Sequence, residues 1–351
     1  MRSAPERSLL NWLPPAPRRT EPPMPTIVLC YPVNSGQIEA IEQAAPGFRL
    51  IASDQERIRH DIFAADIFCG HARGGLPWAE VVRHGKLQWI QSSAAGLDHC
   101  LSPEVVNSGV IVSGASGLFA NQVAEQTLAL LLGLLRRIPE FHSAQLRRHH
   151  ERRPTDDLHG KRVGIHGLGG NGLRIAELLA GFNVELLGCD RFPEALSGQV
   201  SFPVLTHDQS LELFRRSQIV IAALPLTEET RGLIAADHFR ALPPGSYFVN
   251  VGRGQTVNEA ALGAALSAGH LAGAGLDVVA VEPLPEGSPV WDWPNLLLTP
   301  HVGAQASQRY QQVTDFFVEN LRRWQTGESL LNLVDKQLGF PRPEHRWLGR
   351  R

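Results

Sequence analysis

Three side chains that together could move a hydride and a proton stand where strand-like runs end in the second half of the chain. Arg253 lies in Asn250-Val251-Gly252-Arg253-Gly254 and follows the apolar run 247–251. Glu282 follows the run 273–278 by a few residues and precedes Pro283, while His301 closes 296–299 through Pro300. An arginine fork grips a carboxylate through two parallel hydrogen bonds and polarises a neighbouring carbonyl. Histidine exchanges protons near neutrality. A carboxylate beside it favours the imidazolium and fixes the ring. Reduction of a 2-keto acid by hydride transfer needs these three functions. Taken singly, each residue is weak: a strand-end arginine is commonly a surface ion pair, and most of the 14 histidines must be incidental.

A phosphate-binding turn precedes the three. The apolar run 162–166 leads into Gly167-Leu168-Gly169-Gly170-Asn171-Gly172 and then a helical pattern over 173–181. A glycine pattern alone is weak evidence, but this one has a strand before it, a helix after it, and Asp190 at the end of the next strand. Gly167 allows the tight turn, Gly169 lets a pyrophosphate approach the backbone, and Gly172 lets helix and strand pack closely. The amino terminus of the helix stabilises phosphate charge. Asp190 accepts hydrogen bonds from adenosine ribose hydroxyls and repels a 2′-phosphate, so NAD is favoured over NADP. Arg191 keeps NADP open, because an arginine there can pair with that phosphate.

Positioning these residues requires a repeated βα scaffold. Short apolar runs at 27–30, 62–69, 87–91 and 110–112 alternate with helical patterns at 36–45 and 78–84. A longer helical pattern starts near Asn121, and Pro139 kinks it or begins a new turn. A more regular series follows, with runs at 162–166, 184–189, 218–224, 247–251, 273–278 and 296–299 and a closing helical pattern over 305–326. Alternation of this kind gives βαβ units and parallel sheets. The chain has 351 residues, which at roughly 150 residues per domain suggests two domains.

Composition narrows the function further. With 33 basic and 35 acidic residues the formal net charge is −2, which argues against nucleic acid or an anionic membrane surface as partner. Cys30, Cys69, Cys100 and Cys189 are widely spaced, a pattern suited to a reducing cytoplasm rather than to a disulfide framework or a metal site. No membrane span or export signal is visible. The proline-rich residues 1–24 read as a disordered tail or a misassigned start, with translation beginning at Met24.

A series of ordered motifs resembles the D-isomer-specific 2-hydroxyacid dehydrogenase family over nearly all the chain after residue 24. They are Ser93-Ala94-Ala95-Gly96-Leu97-Asp98, Val123-Ala124-Glu125, the glycine turn, Leu224-Pro225-Leu226-Thr227 with Thr230-Arg231-Gly232, residues 250–254, residues 275–278 with Glu282-Pro283, and Thr299-Pro300-His301. The resemblance implies an α/β fold of two Rossmann-like, doubly wound parallel-sheet domains, the substrate domain being discontinuous. It places the substrate domain at 25–117 with 304–335 and the NAD domain at 118–303, leaving 336–351 as a C-terminal tail. It further implies that Arg253 binds substrate, Glu282 supports the histidine, and His301 is the general acid/base. The amides around Ala95 and Gly96 would hold the substrate carboxylate. Asp277 and the Leu224–Pro225 backbone would contact NAD, with Thr230, Val251, Gly252 and Gly303 beside it. The helix beginning near Asn121 would form a homodimer interface.

Some positions depart from the family's usual pattern. Asn171 and His166 stand where apolar residues are common, and Ala120 where a threonine is frequent near the nicotinamide. His166 is expected to be hydrogen-bonded locally. Substrate choice should lie with the loop 71–76 and with Trp291 and Trp293, which either cover the cleft or pack their loop; Arg73 reads as a surface residue. Glyoxylate and hydroxypyruvate fit without a second anion site. The other readings are a non-catalytic, corepressor-like NAD sensor and a related hydride-transfer enzyme acting on an amino acid. The complete Arg, Glu and His set tells against the first, and the order of the three disfavours the second.

Overall fold

The protein is described by a computed structural model covering residues 24–347 and 349. The expected tail or misassigned start before Met24 lies outside the described residues. Two parallel sheets organise the rest. The first contains β1 (Thr26–Cys30), β2 (Arg49–Ala52), β3 (Ile67–Gly70), β4 (Trp89–Ser92) and β5 (Ile111–Ser113), in the order β2-β1-β3-β4-β5. The second contains β6 (Arg162–His166), β7 (Glu185–Asp190), β8 (Val204–Thr206), β9 (Ile219–Ala222), β10 (Ser246–Asn250), β11 (Leu271–Leu276) and β12 (Leu296–Leu298). Its order is β12-β11-β10-β9-β6-β7-β8. The central strands are buried on both faces, which is why β1 and β9 read as unbroken apolar runs.

The sequence runs and the strands differ at the edges of the sheets. The run 62–69 divides into a 3-10 turn at Ile62–Ala64 and the strand β3. Strands β2 and β8 are not among the expected runs; each offers only a short apolar stretch, Leu50-Ile51-Ala52 and Val204-Leu205. Both are outer strands, paired on one side only, and neither needs a continuous apolar pattern. Pro139 lies in the first turn of a new helix, Ile138–Leu146, which begins after Arg137 adopts a left-handed backbone.

Two long helices tie the units together. Helix Ala120–Leu135 leaves β5 and buries Leu130, Leu131 and Leu135 against Val163, Ile165 and Ile175 of the second unit. Helix Arg309–Thr326 returns to the first sheet, where Phe316, Phe317 and Leu321 pack with Ile27, Leu29 and Trp89. A buried polar bond fixes that return: the Asn320 amide donates to Gln91 Oε1 at 2.8 Å. Residues 336–347, expected as a tail, are folded instead. β13 (Val334–Asp335) pairs with β14 (Phe340–Pro341), and Lys336 donates to the carbonyls of Val105, Ser108 and Val110 at 3.0, 2.6 and 3.1 Å. The Trp347 amide then donates to Asn332 Oδ1 at 2.8 Å. These bonds satisfy groups that a free tail would leave to water.

Candidate active site

In the second sheet the strand order reverses between β6 and β9, and open α/β sheets bind ligands in the crevice outside such a switch point. An open cleft lies there, lined by Gly167, Gly169, Gly170, Asn171, Asp190, Arg191, Leu224, Pro225, Thr230, Val251, Gly252 and Arg253, with Ala95 and Gly96 from the other unit. Gly167 has φ +95°, a left-handed value, and a Cβ there would crowd the Ala223 carbonyl. At Gly172 a Cβ would overlap the Gly167 carbonyl, so this glycine is needed for close packing. At Gly169 a Cβ would meet nothing within 4 Å, so the turn faces open space at the amino terminus of helix Gly170–Ala180.

Two expected cofactor residues act through their neighbours. Leu168 buries its side chain, and its amide donates to Asp190 Oδ2 at 2.8 Å. The Phe192 amide donates to Oδ1 of the same carboxylate at 2.9 Å. Arg191 ion-pairs with Glu229, and both residues line the cleft. The Thr230 hydroxyl donates to the Pro225 carbonyl at 2.7 Å and so holds the loop after β9. His166 overturns its expectation: it is fully buried against the cleft, and neither ring nitrogen has a hydrogen-bond partner among the described residues. Burial holds it neutral, its pKa lowered to about 3. A glycine turn open at the helix start, a fixed carboxylate and this orphaned polar ring fit a dinucleotide lying along the cleft.

Arg253 follows β10, where the Asn250 side chain closes the turn: its amide donates to the Arg253 carbonyl at 3.1 Å, and its oxygen accepts from the Gly252 amide at 3.0 Å. The guanidinium lies directly over Gly96, and any Cβ at Gly96 would overlap it. Its Nε donates to Asp98 Oδ1 at 3.2 Å, across the two units. Burial works against the Asp98 charge, yet Arg253 outweighs it and holds the carboxyl below its ordinary range.

Glu282 and His301 meet as a pair. Oε2 of Glu282 lies 2.7 Å from Nδ1 of His301, and the Val279 amide donates to Oε1 at 3.2 Å. Burial raises the Glu282 pKa, but the hydrogen bond and charge of His301 outweigh it, and the net shift is downward. His301 itself has φ +52°, left-handed for a non-glycine residue, a conformation held by surrounding structure. Asp277 supplies the restraint. Its carbonyl accepts from the His301 amide at 2.7 Å. Its Oδ1 accepts from the Thr299 hydroxyl and Val302 amide at 2.7 and 3.0 Å, and its Oδ2 from the Gly303 amide at 2.8 Å. The carboxylate and Gly303 therefore clamp the histidine loop.

Comparison with known proteins gives the chain its family. Residues 128–303 match the model for the D-isomer specific 2-hydroxyacid dehydrogenase NAD binding domain. Glyoxylate reductase from Thermofilum pendens is 32% identical over 264 residues, 73% of this chain and 77% of the relative. This chain belongs to the D-isomer specific 2-hydroxyacid dehydrogenase family. Glyoxylate/hydroxypyruvate reductase A from Photorhabdus laumondii is 31% identical over 280 residues, 77% of this chain and 88% of the relative. Among solved structures, a family member from Xanthobacter autotrophicus in complex with NADPH and MES aligns with TM-score 0.75 and 32% identity, over 90% of this chain and all of that one. Membership makes the chain a nicotinamide-dinucleotide-dependent oxidoreductase of 2-hydroxy acids.

Two further findings bear on the family site. Trp291 is exposed, with its ring N–H on the Pro285 carbonyl at 2.8 Å, and Trp293 packs on Gly263 of the helix Glu259–Ser267. No helix among the described residues is long and apolar enough to cross a membrane. Sequence reasoning missed Asp98 as the partner of Arg253 and missed Phe340, Pro341 and Arg346 in the cleft wall. Asp98 closes the motif Ser93–Asp98, but nothing in its spacing names its partner.

Proposed function

We propose that the protein reduces a small 2-keto acid to its D-2-hydroxy acid, and catalyses the reverse, with NAD preferred to NADP. The observation that carries the reading is the Glu282–His301 pair at 2.7 Å, at the same strand-end edge as Arg253 and the glycine turn. The residues that would hold the dinucleotide are the 167–172 turn, Asp190, the Leu224–Pro225 loop, and the 251–252 backbone. When bound, the nicotinamide supplies hydride chemistry.

In this reading Arg253 and the amides around Ala95 and Gly96 bind the substrate carboxylate, and the arginine polarises the keto oxygen. Asp98 holds Nε of Arg253, which keeps the fork oriented toward Gly96. His301 carries the proton: its Nδ1 is taken by Glu282, so Nε2 gives a proton to the forming alkoxide, and in oxidation removes it from the hydroxyl. Glu282 remains ionised and stabilises the imidazolium. Small substrates such as glyoxylate and hydroxypyruvate are favoured in this reading. The His71 and His99 rings lie 4.2 Å apart, and burial keeps both neutral, with His99 lowered to about 3.

NAD preference rests on Asp190 being fixed by two amides while Arg191 is paired with Glu229. The substrate unit is taken as 25–117 with 304–335, around a cofactor unit at 118–303. A homodimer through helix Ala120–Leu135 and a cytoplasmic location belong to the same proposal. An NADH-oxidation screen over glyoxylate, hydroxypyruvate, pyruvate and phenylpyruvate tests the reading. Turnover of at least one acid is expected; no turnover of any would contradict it.

A further inference from the structure

The C-terminal segment crosses from the first unit to the mouth of the cofactor cleft. Its strand β14 brings Phe340 and Pro341, and the turn after it Arg346, into the cleft wall near Asp190. The Phe340 ring meets Phe192 edge-on with centroids 6.4 Å apart, and the Arg346 guanidinium lies 6.0 Å above the same Phe192 ring. The Arg346 side chain is only 12% exposed, an unusual position for a cation.

Its neighbours do not complete it. The one carboxylate within ion-pair range among the described residues is Asp190, at 3.9 Å, and both oxygens of that carboxylate already accept backbone amides. The other contact is a long one, 3.5 Å from Nη1 to the Leu168 carbonyl. Arg191, next to Asp190 in sequence, has its own partner in Glu229. Arginine stays protonated in proteins, so a buried guanidinium between the glycine turn and the ribose carboxylate calls for an anion. Phosphate suits its planar fork, and the adenosine half of a nicotinamide dinucleotide brings phosphate to this end of the cleft.

We propose that Arg346 is a phosphate-binding residue of the cofactor site, delivered by the C-terminal segment. The inference rests on the dinucleotide reading above. Two phosphates could meet it: the pyrophosphate common to NAD and NADP, or the 2′-phosphate of NADP.

Calorimetric titration of the full chain separates these sources without using turnover. The probes are adenosine, ADP-ribose and 2′-phospho-ADP-ribose, titrated into the wild type, Arg346→Gln and Arg346→Lys. Arg346→Gln is expected to bind ADP-ribose at least tenfold more weakly, with adenosine affinity unchanged and Arg346→Lys between the two. A loss confined to 2′-phospho-ADP-ribose also supports the assignment and identifies the 2′-phosphate as its ligand. Unchanged affinity for both phosphorylated probes overturns it, as does an equal loss for adenosine, which marks a purely structural role. A wild type that binds none of the probes overturns the dinucleotide reading itself, and this inference with it.

Discussion

Asp98, beyond β4 of one sheet, accepts a hydrogen bond from Nε of Arg253, beyond β10 of the other, at 3.2 Å. The bond spans the cleft and restrains the side chain that would meet the substrate carboxylate. Asp98→Asn should loosen that fork and reduce kcat/KM for the keto acid about tenfold, worth about 1.4 kcal/mol, mainly through KM. Arg253→Lys should lose more, because a point charge replaces bidentate geometry. Steady-state kinetics at saturating NADH check both; an unchanged KM in Asp98→Asn contradicts the positioning role.

Glu282→Gln separates charge from shape. Without the carboxylate the imidazolium loses its partner, so kcat/KM for reduction should fall. Steady-state kinetics measure this loss, and an unchanged kcat/KM would contradict it. Stability gives the second sign. The Glu282 carboxyl titrates below its ordinary value when folded, so its contribution is present above the unfolded value of about 4.3 and is lost as pH falls through the lowered one. The stability gap between wild type and variant should be widest near neutrality and close in acid, as read by denaturant midpoints.

How much of this was legible in the sequence depended on the range of each interaction. The glycine turn and Asp190 are read within one βαβ unit, where spacing follows from local geometry. Arg253, Glu282 and His301 are read because each lies within a few residues of the end of a strand that the sheet must align. The Asp98–Arg253 bond joins residues 155 positions apart, and no periodicity reports such a pairing. Arg346 was hidden for the same reason, inside a segment with no apolar period to mark it as folded. His166 looked like a residue that should find a local partner. Its strand instead buries it between Phe214 and the cleft, where no partner is offered.

Asp277 tests whether the histidine loop needs its clamp. The carboxylate is 3% exposed and accepts three hydrogen bonds from Thr299, Val302 and Gly303. Asp277→Asn places N–H groups where an acceptor is required and leaves at least one buried donor unpaired, at a cost of about 1–3 kcal/mol. Chemical denaturation should show that loss, together with a reduced kcat as His301 leaves its left-handed conformation. A variant as stable and as active as the wild type would show the clamp to be unnecessary.

Asp190 tests cofactor choice. The wild type should have the higher kcat/KM with NADH than with NADPH. Asp190→Ser should move the ratio toward NADPH by about tenfold or more, equivalent to about 1.4 kcal/mol, by removing the negative charge that repels a 2′-phosphate. A wild-type preference for NADPH would reverse this assignment.

The most direct test of the account is the turnover of His301→Ala with NADH and the best keto acid found by screening. Removing a general acid/base should lower kcat by roughly 10²–10⁴-fold, with ADP-ribose binding retained. Near-wild-type kcat in that variant would contradict the central claim that His301, held by Glu282, carries the proton.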